Sequence, residues 1–208
     1  MKDLINSLEN LKKSEVSEVI RSRINEFSKI KEKSIEDIFI ELCFCIMTAN
    51  CGAEKCIEIH NLIREDFLNL SENGLIDKFK EYGYRFPNVR AKYIINARDC
   101  KENLNEILFS LHDRLTIRNN LVKAIKGLGY KESSHFLRNI GFSDYAIIDF
   151  HSVDLLERYN LIEKPKTMTK RKYYEIEEIL MNLGEKVGLS MAELDLYLWY
   201  LETGKVLK

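Results

Sequence analysis

Apolar residues recur every three or four positions along most of the chain, which is the spacing of amphipathic α-helices. Only two prolines and nine glycines interrupt the 208 residues, and strand-type alternation is weak. The pattern therefore predicts an all-α fold. The predicted helices span residues 3–12, 15–30, 35–48, 53–65, 73–81, 88–100, 103–111, 115–126, 131–140, 150–160, 169–186 and 190–203.

The break around residues 101–114 is the predicted boundary between two helical lobes. We expect residues 31–101 to form the first lobe and residues 102–208 to form the second lobe with its C-terminal tail. The N-terminal helices, residues 1–30, are expected to return and pack on the second lobe.

A short glycine turn, Gly127-Leu128-Gly129, separates two of these helices. Glycine has no Cβ, so a backbone N–H in such a turn can approach a ligand closely. The arrangement predicts a helix–hairpin–helix motif. Lys131 begins the second helix, and Asp149 follows the apolar run Ala146-Ile147-Ile148.

Lys131 and Asp149 have complementary chemistry. An unprotonated lysine amine is a nucleophile that can form a Schiff base with a carbon electrophile. Asp149 precedes the helix that begins at Phe150, where a carboxylate can cap the helix and oppose positive charge that develops on a substrate. Each residue alone has an ordinary explanation, as a phosphate-binding lysine or a helix cap. Their combination after the glycine turn favours catalysis.

This order of hairpin, lysine, one helix and aspartate resembles the helix–hairpin–helix superfamily of DNA base-excision glycosylases, in its lysine-bearing bifunctional branch. The last helix, ELDLYLWY, and the ending GKVLK are similar to the short archaeal-type 8-oxoguanine DNA glycosylases. The resemblance implies two lobes with an active-site cleft between them, Lys131 as nucleophile and Asp149 as stabiliser of the transition state. It also implies that Trp199 supports base recognition and that Lys208 reads the base through a terminal carboxylate.

Further DNA contacts are predicted from residue chemistry and from the resemblance. Asn50 matches an asparagine that enters the gap left by a flipped nucleotide, although a role at the helix C-terminus is the alternative. Residues 82–93 interleave aromatic and basic side chains, which suits a wedge into a duplex. There Arg85 is the candidate for the orphan cytosine, whereas Tyr84 and Phe86 have a core role as their alternative. The full set of predicted DNA contacts is Asn50, Tyr84, Arg85, Phe86, Gly127, Gly129, His135 and His151.

The two histidines of this set lie beside the catalytic candidates. His135 follows Lys131 by four residues and so shares its helix face, with an ordinary core or surface histidine as the alternative. His151 follows Asp149 by two residues, as in the D-x-H pattern of the superfamily. We expect it to support the aspartate or a phosphate and not to bind a metal.

Five cysteines, an odd number, indicate reduced core thiols instead of a disulfide framework. No cysteine follows Cys100, so the four-cysteine iron–sulfur loop of related endonuclease III proteins is missing. We expect no cofactor except, from the resemblance, a monovalent cation at the hairpin carbonyls. A zinc site is disfavoured because its first two ligands are too closely spaced within a helix. Its ligands would be Cys43, Cys45, Cys51 and His60.

The net charge of −1 does not by itself indicate a nucleic-acid partner. Basic residues nevertheless concentrate in residues 114–138 and 164–172, which predicts a basic face, or else two solvated stretches. No apolar run is long enough for a membrane span, and no signal segment is evident. We expect a monomeric, cytoplasmic, nucleoid-associated protein whose partner is double-stranded DNA containing 8-oxoguanine.

The predicted function is excision of 8-oxoguanine opposite cytosine, followed by cleavage of the abasic site by β-elimination. One alternative is an endonuclease III-like pyrimidine-lesion glycosylase, against which the missing cysteine loop and the tail pattern count. A second is a noncatalytic helix–hairpin–helix module in which Lys131 only touches phosphate. The third is a helical interaction protein without nucleic acid.

Overall fold

The computed structural model describes residues 1–110 and 113–208, which form helices joined by turns and loops. No strand occurs within these two ranges, so the predicted all-α fold is confirmed. Residue 111, the last of one predicted helix, lies outside the described residues. The helices are α1 Lys2–Lys12, α2 Val16–Ile30, α3 Ile35–Thr48, α4 Ala53–Leu62, α5 Asp66–Asn69, α6 Glu72–Glu81, α7 Pro87–Arg98, α8 Lys101–Phe109, α9 Arg114–Ala124, α10 Tyr130–Asn139, α11 Phe150–Arg158, α12 Lys170–Val187 and α13 Met191–Thr203.

Short polar residues define where many helices begin. The side chain of each accepts a hydrogen bond from a backbone N–H of the first turn, which would otherwise have no intrahelical partner. Gly188 and Gly204 end α12 and α13 in the left-handed conformation that glycine adopts without strain. The capping residues are Ser34, Ser71, Asp113, Asp149, Thr169 and Ser190.

The described chain divides into two compact units. The terminal unit comprises Met1–Lys29 and Leu137–Leu207, and the middle unit comprises Ile30–Phe136 and Lys208. This division falls within α10 and not near residue 101, because α8 packs against both α3 and α9 and so belongs to the middle unit. Residues 1–29 group with residues 137–207.

Helix α3 is the central element of the middle unit. Every residue from Ile38 to Thr48 is buried, and α3 packs against α4, α5, α7 and α8. The side chains of Cys43, Cys45 and Cys56 lie in this core as free thiols, and burial raises the pKa of Cys43. Within the described ranges no group of three or more histidine, cysteine or acidic side chains has a metal-binding arrangement.

The terminal unit is built on α12 and α13. Helix α1 packs on α12, and α11 and α12 both pack on α13. The end of α2 approaches the turn after α10 so closely that a Cβ on Gly141 would lie 2.9 Å from the Ser28 Cα. No helix in the described ranges is long and apolar enough to cross a membrane.

Candidate active site

The hairpin joins α9 to α10 through a turn that needs glycine twice, for two different reasons. Gly127 has a φ of +98°, and a Cβ there would lie 2.4 Å from Cδ2 of Tyr93. Gly129 donates its N–H to Glu132 Oε2 at 3.1 Å, and a Cβ would lie 2.9 Å from the same oxygen. The turn therefore has no room for a Cβ at either glycine, which is why the sequence has glycine at both positions.

Lys131 is the second residue of α10, directly after this turn. Its side chain is 25% exposed, and Nζ lies 3.3 Å from Glu132 Oε1. One carboxylate, Glu132, thus contacts both the Gly129 N–H and the Lys131 amine. Sequence reasoning did not assign Glu132 a role, although it is the only acid between Arg114 and Arg138.

Two basic residues of the predicted basic face are internal. Arg118 is fully buried and donates from Nη1 to Ser134 Oγ at 3.2 Å, which links α9 to α10 in the middle unit. Arg138 pairs with Asp195 and lies over the ring of Phe27 in the terminal unit. These two guanidinium groups stabilise packing, so the exposed basic surface is smaller than the sequence suggested.

In the terminal unit, Asp149 is the N-cap of α11. The segment before it is buried and is held by two side chains of α12. Tyr173 Oη donates to the Ala146 carbonyl at 2.7 Å, and Glu177 Oε1 accepts from the Ala146 N–H at 3.2 Å. The backbone leading to Asp149 is therefore fixed on both its donor and its acceptor side.

Three aromatic rings follow Asp149 in the terminal unit. The His151 ring lies 3.9 Å from Phe150 and 4.8 Å, edge-on, from Trp199, measured between ring centroids. The structure thus brings together His151 and Trp199. Phe150 is 67% exposed, and sequence reasoning overlooked it because a single apolar residue at a helix start gives no periodic signal.

Tyr84 is a core residue, which corrects its prediction as a DNA contact. Its side chain is buried against Phe79, with ring centroids 4.9 Å apart. Its hydroxyl donates to the Met47 carbonyl at 2.6 Å, and burial raises the pKa of Tyr84. The alternative interpretation, that Tyr84 covers the core, is the one the structure supports.

The other members of this loop lie beside Asn50. Arg90 donates from Nη2 to the Ala49 carbonyl at 2.6 Å, and Arg85 donates from Nη1 to the Asn50 carbonyl at 3.5 Å. Both guanidinium groups lie near the ring of Phe86, at 5.6 and 5.0 Å from its centroid. Asn50 itself has a φ of +59°. The structure therefore joins Asn50, Arg85 and Phe86 in one surface of the middle unit and adds Arg90 as its support.

Phe44 connects two further candidates in the middle unit. Its ring lies 5.6 Å, edge-on, from the ring of His135, and Nζ of Lys208 lies 4.6 Å from its centroid. Lys208 also forms an ion pair with Glu41, which sequence reasoning passed over. The available signal was an acid between Ile40 and Leu42 in the otherwise apolar run from Ile38 to Met47.

Comparison with known proteins found likenesses that cover most of the chain. Residues 20–189 match a family model described as 8-oxoguanine DNA glycosylase. An 8-oxoguanine DNA glycosylase/AP lyase from Methanocaldococcus jannaschii is 51% identical over 99% of both chains, and one from Korarchaeum cryptofilum is 47% identical over 99% of this chain and 98% of the other.

Solved structures show the same likeness. The Methanocaldococcus jannaschii glycosylase/lyase in complex with a 15mer DNA containing 8-oxoguanine matches with a TM-score of 0.95 over 99% of both chains, at 51% identity. The 8-oxoguanine DNA glycosylase of Thermotoga maritima matches with a TM-score of 0.93 at 40% identity, over 100% of this chain and 99% of the other. With a two-glycine hairpin, a lysine after it and an aspartate capping the next helix, the chain belongs to the 8-oxoguanine DNA glycosylase family.

Proposed function

We propose that this protein excises 8-oxoguanine opposite cytosine from duplex DNA and cleaves the resulting abasic site. The observation that carries the proposal is the partly exposed side chain of Lys131, placed directly after a turn with two glycines. Likeness to glycosylase/AP lyases over nearly the whole chain supports the same conclusion.

Lys131 acts as the nucleophile. Its unprotonated amine forms a bond to C1′ while the C1′–N9 bond breaks, and the base leaves with the bonding electrons and then takes a proton. Loss of the amine proton and opening of the sugar ring give a Schiff base between Nζ and C1′. Removal of a C2′ proton then breaks the C3′–O3′ bond, which releases the 3′ phosphate and nicks the strand.

Asp149 stabilises the positive charge that develops on the sugar as the base departs. A carboxylate held in place by the capping box of α11 needs little reorganisation during the reaction, which is what makes a preorganised charge effective. Asp149 also assists proton transfer. His151, two residues later, contacts a phosphate or supports the aspartate.

DNA binding uses the hairpin and the Asn50 surface. The turn at Gly127 and Gly129, which carries no Cβ at either position, approaches the phosphate backbone, as turns at helix N-termini do. Asn50 and Arg85 contact the orphan cytosine, and Phe86, whose ring contacts the guanidinium groups of Arg85 and Arg90, stacks beside the vacated position.

Base recognition involves Trp199 and Lys208. Trp199 packs against His151, and its buried Nε1 has no hydrogen-bond partner within the described ranges. In the middle unit the ring of His135 packs on Phe44, and this histidine borders the active site or contacts a phosphate. The lesion differs from guanine by an O8 and an N7–H, so one acceptor for N7–H would contribute about 1–3 kcal/mol of selectivity.

A monovalent cation at the hairpin is part of this proposal. The turn between Ile125 and Gly129 offers neutral backbone carbonyl oxygens, which are ligands of the type that monovalent cations accept. The nearby carboxylate of Glu132 already contacts Gly129 and Lys131. The hairpin carbonyls would hold the ion, which would supply positive charge against a DNA phosphate. We further expect the enzyme to act as a monomer and to associate with the nucleoid.

Borohydride trapping tests the proposed function. The protein is incubated with borohydride and a duplex that carries 8-oxoguanine opposite cytosine, a pyrimidine lesion, or no lesion. A covalent adduct on the 8-oxoguanine duplex alone is the expected result. An adduct only on the pyrimidine lesion would favour the endonuclease III-like alternative, and binding without any adduct would favour the noncatalytic module.

A further inference from the structure

The ammonium group of Lys208 is surrounded by side chains of the middle unit. Nζ lies 2.7 Å from Glu41 Oε1, 3.4 Å from His60 Nδ1 and 4.6 Å from the centroid of the Phe44 ring. An ammonium has three N–H donors. A carboxylate, an imidazole nitrogen and the negative face of an aromatic ring give each of them a partner. We call Glu41, His60 and Phe44 the lysine socket.

The tautomer of His60 fits this arrangement. Its Nε2 lies 3.3 Å from the Ile40 carbonyl oxygen, which can only accept, so Nε2 carries the hydrogen. Nδ1 then presents a lone pair to Lys208. Burial, together with the charges of Lys208 and Arg64, lowers the pKa of His60 to about 3, so the ring stays neutral and remains an acceptor.

Folding stability alone does not account for the lysine socket. Glu41 is 2% exposed among the buried apolar residues of α3, and its Oε2 has no hydrogen-bond partner in the described part of the chain. Burial also lowers the pKa of Lys208, so the cost of removing the ammonium from water exceeds the effect of its partners, including Glu41. Buried ion pairs with an unsatisfied oxygen are commonly no more stabilising than apolar side chains of the same size.

A lysine in a DNA-binding protein ordinarily contacts phosphate, and the geometry of Lys208 argues against that role. Its side chain is only 17% exposed, and all three N–H donors are directed at protein groups. Its charge is therefore used within the protein. What remains available to a ligand is the main chain of the same residue.

We propose that Glu41 is a positioning residue for base recognition. With His60 and Phe44 it holds the Lys208 side chain in one place, so that the main chain of Lys208 meets the flipped base in a fixed position. The inference rests on the proposed function, in which Lys208 recognises the base. It adds that Glu41 contributes to lesion recognition without touching DNA.

A double-mutant cycle tests the coupling between Glu41 and Lys208. The variants are Glu41→Gln, Lys208→Met and both together, with Lys205→Met as a matched control because Lys205 is exposed in the same tail. The measurements are single-turnover excision of 8-oxoguanine, cleavage at a preformed abasic site, and thermal unfolding. DNA affinity is also measured as a function of salt concentration.

Each single change should slow excision about tenfold or more, and the double variant should be no slower than the slower single variant, because the two side chains act as one unit. Cleavage at the preformed abasic site should fall less than about threefold, since it does not require base recognition. The salt dependence of DNA affinity should not change, because no phosphate contact is lost. The control should match the wild type in excision.

Several outcomes would overturn the inference. Multiplicative losses in the double variant would mean that the residues act independently, and a reduced salt dependence for Lys208→Met would mean a phosphate contact. Wild-type excision by Lys208→Met would remove any positioning role. Lys208 lies after the end of α13, so this substitution still tests the inference if Glu41→Gln disturbs the folding of α3. Absence of 8-oxoguanine excision by the wild-type protein would instead refute the proposed function.

Discussion

Asp149 and Ser152 cap each other at the start of α11. Asp149 Oδ1 accepts from the Ser152 N–H at 2.9 Å, and Ser152 Oγ accepts from the Asp149 N–H at 2.9 Å. The same carboxylate that fixes the helix end is the group proposed to stabilise the sugar cation. Its structural and chemical roles can be separated, because an amide can cap a helix but carries no charge.

Asp149→Asn should therefore fold normally but slow base release by about a hundredfold or more. Asp113→Asn is the matched control, since Asp113 caps α9 through the backbone N–H groups of Leu115 and Thr116. Single-turnover excision kinetics and thermal unfolding measure the two effects. A near-wild-type excision rate in Asp149→Asn would leave this residue with a capping role only.

Lys131→Gln should abolish base excision, strand cleavage and borohydride trapping while DNA affinity is retained. The substitution keeps a long polar side chain on α10 but removes the nucleophile. Lys126→Gln, an exposed lysine of the same hairpin, is the control and should remain active at saturating protein. Strand cleavage that persists in Lys131→Gln would assign the chemistry to another group.

Asn50→Gly tests the predicted contact to the orphan cytosine. Asn50 has a φ of +59°, which glycine adopts without strain, so stability should be unchanged or raised by up to about 1 kcal/mol. The preference for 8-oxoguanine opposite cytosine over adenine should fall because the amide is lost. Asn160→Gly, with a φ of +53°, makes the same backbone change and should keep that preference.

Gly127→Ala should destabilise the hairpin and weaken DNA binding. The new Cβ would lie 2.4 Å from the Tyr93 ring at a φ of +98°, and a cost of about 1–3 kcal/mol is expected. Gly188→Ala is the control for backbone strain alone, because its φ is +64° and no atom lies within 4 Å of the added Cβ. Chemical denaturation and DNA titration would measure both effects, and equal effects of the two substitutions would contradict the steric argument.

His60 should make the protein sensitive to acid. Its pKa in the folded protein is about 3, well below the ordinary value of 6.5. Between these values the unfolded chain binds a proton that the folded protein does not. The free energy of unfolding should therefore fall as the pH is lowered through this window, by about 1.4 kcal/mol per pH unit.

The groups around His60 are Glu41 on α3, Arg64 after α4, and Lys208. His60→Gln removes the titrating ring, so its free energy of unfolding should depend less steeply on pH between about 6 and 4. Urea denaturation at several pH values, with the wild type in parallel, gives the comparison. Identical slopes would show that His60 does not cause the acid sensitivity.

The helices were predictable because their apolar positions repeat over several turns. Helix α5, Asp66–Asn69, was missed because four residues form a single turn and cannot show a period. Lys131 and Asp149 were recognisable from their order along the chain. Contacts that depend on tertiary packing, such as Tyr173 with the Ala146 carbonyl, have no local signal.

Long polar side chains were the main source of error. From sequence, Arg118 and Arg138 look like Lys123 and Lys126, because a basic residue carries the same charge whether it faces solvent or a buried partner. The structure places both arginines in the interior and leaves both lysines exposed. Tyr84 illustrates the same difficulty for an aromatic side chain in a basic loop, since its hydroxyl could serve either a DNA contact or the core.

The discontinuous terminal unit sets an order for folding during synthesis. Helices α1 and α2 leave the ribosome before the middle unit, but the residues with which they group, Leu137–Leu207, emerge only after all of Ile30–Phe136 has been made. The middle unit can bury α3 while the N-terminal helices still expose apolar side chains such as Leu4 and Leu8. Helices α1 and α2 are therefore among the last elements to reach their final packing, and until then they remain open to proteolysis and to chaperones.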